Sequence, residues 1–248
     1  MVTARMFSGT SRSIVTPPAP LSFSTNFDGT ESPLSEGGVW TTGSPYQPIC
    51  QKGSGVCWGN QTGDEKFVPT YNDSQAWLSG FKKNHACELT IQKLSDPVGD
   101  LEVELLLGAR QVPLRRSSLG QSFNNDTDFD GIEINLGIGK YGILGFVSRY
   151  LEPNGNYDNI GAAFTSFGVQ DGDKLRAQLT LDDGALTGNV IVWMIRGALV
   201  TQIANVTRPE YYQVGNPGIA FYRENNSPGQ TDDPKIFSAT SFSAWELP

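Results

Sequence analysis

The sequence predicts an all-β protein, an antiparallel sandwich built from many short strands. Three observations predict it. Residues 101–107 and 132–138 alternate apolar and polar side chains at period two, as strands with one dry face do. Turn-forming clusters, Pro153-Asn154-Gly155, Asp171-Gly172-Asp173 and Asp182-Asp183-Gly184, separate runs of this kind. No window sustains apolar residues at helical spacing over several turns, and 28 Gly with 15 Pro is high for a helical chain. Short alternating strands joined by such turns specify a sandwich.

Residues 1–20 read as an extended N-terminal arm, in which Arg5 and Arg12 are the only charges and Pro17, Pro18 and Pro20 hold the end extended. One sandwich domain follows over 21–248. Within it, 21–42 gives a short strand, a polar turn-rich link and then Val39-Trp40. Residues 43–72 are rich in Gly, Pro and Ser and read as loop, with a short strand around 56–58. Strands follow at 76–81 and 86–92, the second alternating Cys87, Leu89 and Ile91 with Glu88, Thr90 and Gln92.

In 101–107, Leu101, Val103, Leu105 and Leu107 share one face while Glu102, Glu104 and Leu106 take the other; in 132–138 four apolar residues oppose Glu133 and Asn135. The stretch 108–130 between them reads as a long loop carrying Arg110, Arg115 and Arg116, whose ligand would be anionic. Strands at 141–150 and 175–181 continue the series, and 218–222 and 237–247 close it.

The most apolar stretch is 188–206. Two runs, 190–195 and 198–203, flank Arg196-Gly197 in the manner of a two-residue hairpin. Pairing across that turn sets Met194 opposite Leu199, Val192 opposite Thr201 and Val190 opposite Ile203, with Ile191, Trp193, Ile195 and Val200 on the other face. Both faces are largely apolar. One must fill the core and the other predicts a contact, with the chain's own arm or with a neighbouring subunit of an oligomer or larger assembly. The contact patch is assigned to Val190, Val192, Met194, Leu199 and Ile203.

Bulk properties exclude some partners. A net charge of -8 and a sequence pI near 4.7 argue against nucleic acid, which needs clustered Lys and Arg. The N-terminal residues lack the apolar core of a secretion signal, and no run approaches a membrane span, so neither export by that route nor a membrane partner is expected. Without export, the Asn-x-Ser/Thr sequons at Asn60, Asn72, Asn125 and Asn205 carry no meaning. Cys50, Cys57 and Cys87 are too few for a disulfide framework; whether Cys50 and Cys57 close a local loop stays open. With His85 they have the composition of a zinc site, in a spacing that fits no common zinc module, and buried thiols are the plainer reading.

Several segments in matching order resemble the concanavalin A-like lectin and glucanase superfamily, in particular its laminin-G-like jelly rolls. They are FSTNFDGTESPLSEGGVW near the start, GDKLRAQLTL followed by GNVIVWMIRGALV, then GNPGIAFY, and the terminal FSATSFSAWEL. The resemblance spans 21–247 and implies a jelly-roll β-sandwich whose first and last strands lie side by side. It implies no activity, because the motifs are structural. One departure is visible: the family hairpin usually carries Asp-Gly or Asn-Gly, where this chain has Arg196-Gly197 and so Arg where positive φ is expected.

Glycoside hydrolases of that superfamily resemble one another in a Glu-x-Asp-x-x-Glu or Glu-x-Asp-x-Glu strand, one acid donating a proton while another attacks. This chain lacks the motif. Its nearest imitation is Glu102 and Glu104, with Glu133 on another strand; the plainer reading is solvated strand faces. Lyases on the same sandwich resemble a Tyr and His recipe for which only His85 is present, outside the Gln-Ile-His context, and no Gly-x-Ser-x-Gly elbow supports a serine triad. Asp126, Asp128 and Asp130 place hard oxygen ligands at alternate positions before Gly131, a candidate calcium site that is not an EF-hand because Gly137 stands at the twelfth position; a polar turn is the alternative. Sugar platforms are available in Trp58, Tyr141, Tyr150, Tyr157, Tyr211 and Tyr212.

The expected function is a non-catalytic binding or structural module, recognising glycan or decorating a larger assembly such as a virion surface. The alternative is a polysaccharide-degrading enzyme using Glu102, Glu104 and Glu133.

Overall fold

The computed structural model describes residues 20–42, 49–60, 74–113, 127–138, 144–151, 156–158, 168–224 and 232–248. The arm, apart from its last residue, lies outside these. The described strands are β1 Ser22–Thr25, β2 Thr41–Thr42, β3 Cys50–Gly53, β4 Val56–Gly59, β5 Ser74–Trp77, β6 His85–Lys93, β7 Asp100–Pro113, β8 Thr127–Ile138, β9 Leu144–Leu151, β10 Asn156–Asp158, β11 Lys174–Asp182, β12 Thr187–Arg196, β13 Leu199–Arg208, β14 Asn216–Glu224 and β15 Phe237–Glu246. Among the described residues helix is limited to single 3₁₀ turns at Pro209–Tyr211 and Pro234–Ile236. Among the described residues no helix is long and apolar enough to cross a membrane.

The strands form two antiparallel sheets, as the alternation predicts. Sheet A runs β13-β12-β11-β6-β15-β4-β3, with β1 also pairing β15; sheet B runs β10-β9-β8-β7-β14-β5-β2. The first and last strands are neighbours through Ser22↔Trp245 and Thr25↔Phe242. The core lies between the sheets, where period-two alternation delivers Leu89 and Ile91, Val103 and Leu105, Ile134 and Leu136, and Phe242, all at most 1% exposed.

Three expectations need correction. Residues 108–130 are not one long loop, because β7 continues through a bulge between Leu107 and Arg110 and pairs on to Pro113↔Thr127. Gly108 makes this possible: it sits at φ +62 with Gln213 packed where a Cβ would stand. The hairpin turn also sits one residue later than expected, which moves each cross-strand partner near it by two, Met194 meeting Thr201 and not Leu199. Arg196 pairs with Leu199, so the turn residues are Gly197 and Ala198, and only Gly197 has positive φ, the type II′ pattern. A bulge between Val192 and Trp193 leaves Ile203 without a partner residue, so Val192 meets Ala204 and Val190 meets Val206.

The contact patch changes accordingly. Val190 and Val192 are fully buried and Met194 nearly so, all in the core between the sheets, and Ile203 packs partly against them; of the assigned residues only Leu199, 65% exposed, faces water. On the other face Ile195 is buried and Ile191 and Trp193 are half-buried. Their cross-strand neighbours on β11 are Gln178, Arg176 and Lys174, whose long stems shade apolar surface while Arg176 and Lys174 carry their charges to Glu88.

Arg196 has a role of its own. Its guanidinium grips the buried Asp173 through Nε to Oδ1 at 2.8 Å and Nη2 to Oδ2 at 2.6 Å, and Nη2 also donates to the Gly168 carbonyl. The arginine that looked misplaced in a turn ends β12 and ties it to the turn preceding β11.

Candidate functional site

The alternation that sends Leu101, Val103 and Leu105 into the core sends Glu102, Glu104 and Leu106 to the outer face of sheet B. Strand pairing then brings the partners: Asn135 opposite Glu104 and Glu133 opposite Leu106 from β8, Ala220 and Tyr222 opposite Glu104 and Glu102 from β14, and Gln75 opposite Ala220 from β5. Glu102, Glu104 and Glu133 therefore share one patch. Two residues along a strand separate Glu102 from Glu104 by about 7 Å between Cα atoms, and Glu133 lies on the diagonal from Glu104 at a similar distance.

These are not solvated strand-face acids. Glu104 and Glu133 are fully buried, Asn135 is 2% exposed and Gln75 3%. Gln75 Nε2 donates to Glu133 Oε1 at 3.2 Å, and Asn135 Nδ2 donates to Glu102 Oε2 at 3.3 Å. Beside them Trp77, Leu106, Ala109 and Ala220 form a second apolar cluster on the same face. Glu102 and Tyr222, side by side in register, are half-buried, so water reaches the patch at this end. Gly137 stands opposite Glu102 and gives it room: a Cβ there would lie 3.2 Å from Glu102 Cγ.

Similar solved structures share this architecture. A xylan β-1,4-xylosidase from Bacillus halodurans matches over 99% of this chain at 11% identity and a TM-score of 0.54, and the κ-carrageenase from Pseudoalteromonas carrageenovora, solved with an oligotetrasaccharide of κ-carrageenan, over 96% at 9% and 0.51. A GH43 protein from Bacillus licheniformis matches over 90% of this chain at 10% identity and 0.50. The fold is the two-sheet antiparallel β-sandwich that these structures share, in line with the jelly roll expected for 21–247. This chain spans 41% of the xylosidase and 39% of the GH43 protein, but the match covers 99% of the carrageenase. No protein-family model matches the sequence, and no curated protein matches it.

On this sandwich the other candidates fall in different places. Asp126 lies outside the described residues, and of Asp128 only the strand position is described. Asp130 accepts from Arg110 Nη2 and Gln213 Nε2, each at 2.8 Å. Arg110 is thus paired within the sheet, while Arg115 and Arg116 lie outside the described residues. Among the described residues no three His, Cys, Asp or Glu side chains converge as a metal site requires.

His85 is buried at the start of β6, on the other sheet from the acids, and burial pulls its pKa down to about 4. Cys50, Cys57 and Cys87 are free and buried, and burial pushes all three thiols well up. Three of the aromatic candidates are engaged elsewhere. Lys235 Nζ sits 4.4 Å over the Trp58 ring, Tyr212 donates to Asp183 at 2.6 Å, and Tyr211 is fully buried, its hydroxyl pushed up to about 12 by burial. Tyr141 lies outside the described residues, and Tyr150 and Tyr157 pair across β9 and β10.

Sequence reasoning missed Gln75, Tyr222 and the spacing role of Gly137. Alternation alone places Tyr222 on the face of Ala220, but only the strand order puts that face beside Glu102.

Proposed function

We propose that this chain is a carbohydrate-binding module whose site is the outer face of sheet B, entered at the Glu102–Tyr222 end. The observation that carries the reading is that pair: a carboxylate steadied by the Asn135 amide beside a half-buried phenol ring, the acceptor and platform that sugar hydroxyls and ring faces require. The κ-carrageenase with its oligosaccharide supports a glycan as a ligand of this fold. The full burial of Glu104 and Glu133 favours holding sugar over attacking it, since neither acid meets the surface.

A second reading has its own support. Three acids gather on one sheet face, two of them two residues apart on β7 and the third diagonal to them on β8, and glycoside hydrolysis uses paired acids, so cleavage with Glu102, Glu104 and Glu133 is the alternative. One experiment separates them: affinity electrophoresis in xylan, κ-carrageenan and laminarin, with reducing-sugar assays on the same panel. Retardation that Tyr222→Ala abolishes, without sugar release, is the expected result. Release lost in Glu104→Gln moves the assignment to hydrolysis, and neither retardation nor release overturns both.

A further inference from the structure

A second site lies on the other sheet. Where the edge of β15 passes from β4, at Ala239, to β1, at Phe242, the two neighbours part, and a cleft of about 370 Å³ lies there. Ser24, Thr25, Asn26, Asp28, Glu36 and Lys52 line it. Its volume is within the range of small-molecule sites. Every residue that lines it is polar or charged.

The floor is a buried ion pair. The Lys52 side chain is 7% exposed and that of Glu36 13%, with Nζ 2.8 Å from Oε1. Glu36 is otherwise well occupied: Oε1 also accepts from Thr25 Oγ1 at 2.5 Å, and Oε2 from the Trp40 indole nitrogen at 2.8 Å. Lys52 is not. Its ammonium has three protons to donate, and beyond Glu36 the next acceptor is Glu31 Oε1 at 3.9 Å, outside hydrogen-bond range. A buried ammonium in this position keeps donors for something in the cleft, because anchoring the 31–36 turn uses only one of them.

The rim complements that floor. Phe27 enters the core at φ 56, fully buried, which turns Asn26 and Asp28 outward on either side of it. The side chains of Ser24, Asn26 and Asp28 make no hydrogen bond among the described residues. A hydroxyl, an amide and a carboxylate thus stand free around a donor floor.

Charge decides what fits. An anion would meet Asp28 and Glu36, and a divalent cation would meet the Lys52 ammonium. An apolar ligand would leave a mostly polar wall without partners. What remains is a neutral molecule with both donors and acceptors on several carbons. We propose that this cleft binds a neutral polyhydroxylated ligand the size of one sugar ring, with Lys52 donating from the floor and Asp28 and Asn26 holding hydroxyls at the rim. The site is separate from the face of sheet B and does not depend on the function proposed for it.

The Trp40 indole proton, bonded to Glu36, reports on the floor directly. The test is a proton–nitrogen NMR titration of the full chain with methyl β-glucopyranoside, methyl α-mannopyranoside and methyl β-galactopyranoside. We expect saturable shifts of the Trp40 indole and of the amides of residues 24–28 with at least one of them. Asp28→Ala and Asn26→Ala, both exposed and safe for folding, should each weaken binding about tenfold, the loss of one strong hydrogen bond. Tyr222→Ala should leave these shifts unchanged, so failure here is distinct from failure on sheet B. Absence of saturation with all three sugars overturns the proposal, as do shifts that Asp28→Ala leaves intact, or a response to calcium chloride or sodium sulfate in place of the sugars.

Discussion

His85 Nε2 accepts a hydrogen bond of 3.1 Å from the Gly108 amide, and that bond runs from sheet A to sheet B. Because Nε2 accepts, the ring proton sits on Nδ1, which faces the Lys82 carbonyl at 3.3 Å. The only histidine in the chain, a natural candidate for a base or a metal ligand, is a neutral tie between the two sheets, placed at the bulge that Gly108 permits.

A pH dependence follows from it. With a folded pKa of about 4 against an ordinary value of 6.5, the unfolded chain takes up a proton that the folded chain refuses as pH falls through that interval. Stability from this group is complete above pH 6.5 and declines towards pH 4, by about 3 kcal/mol in all. Glu31 and Glu246, held low chiefly by backbone amides, begin to cost stability only as pH falls below the ordinary carboxylate value of 4.5. Of these three groups His85 alone changes charge between pH 6.5 and 4.5. Urea midpoints across that window should fall more steeply for the wild type than for His85→Gln; parallel slopes would remove the assignment.

The thiols should be silent until the protein unfolds. Cys50 donates to the Ser74 carbonyl at 3.2 Å, Cys87 lies 3.7 Å from that of Leu106, and all three cysteines are fully buried. A thiol that is buried and held protonated does not attack. Ellman's reagent should find no reactive thiol in the native protein and all 3 after denaturation. A single reactive thiol on denaturation would mean that two of the three are bridged.

Gly188 should tolerate no side chain. A Cβ there would stand 2.0 Å from the Tyr211 carbonyl oxygen and 2.8 Å from its Cβ, so backbone and not a flexible tip would have to move. Gly188→Ala is expected to cost about 3 kcal/mol, at the upper end of overpacking penalties, read as a fall in thermal midpoint. An unchanged midpoint would show that the turn at Pro209–Tyr211 can shift freely.

Much of the architecture was legible because period two is a local signal. Leu101 to Leu107 and Ile132 to Ile138 state their inner faces without help, and Glu102, Glu104 and Glu133 emerge on the outer one. The hairpin was misread by one residue because Arg196-Gly197 and Gly197-Ala198 are equally short, and the difference lies in which residue meets Asp173. The bulge at Ile203 left no mark in composition. The rest of the site depends on order: β14 inserts between β7 and β5, so Tyr222 and Gln75 reach the acids through pairings between strands far apart in the chain. Burial of Glu104 was unreadable for the same reason. Lys52 read as one polar residue in a loop, since nothing local announces that Glu36 lies beside it.

The proposed glycan site makes a demand on Gly137 that separates binding from stability. Glu102 folds across this residue, with Cγ 3.2 Å and Oε1 3.3 Å from where a Cβ would be. The obstacle is the far end of a flexible side chain, so Gly137→Ala can be accommodated by swinging Glu102 aside, at a cost within about 1 kcal/mol. That swing breaks the hydrogen bond from Asn135 and moves the carboxylate away from Tyr222. Retardation in the polysaccharide gel that the wild type recognises should fall about tenfold, as for loss of one charged hydrogen bond, with the thermal midpoint close to wild type. If Gly137→Ala binds as the wild type does while Tyr222→Ala does not, the platform holds the sugar alone and Glu102 is no part of the site.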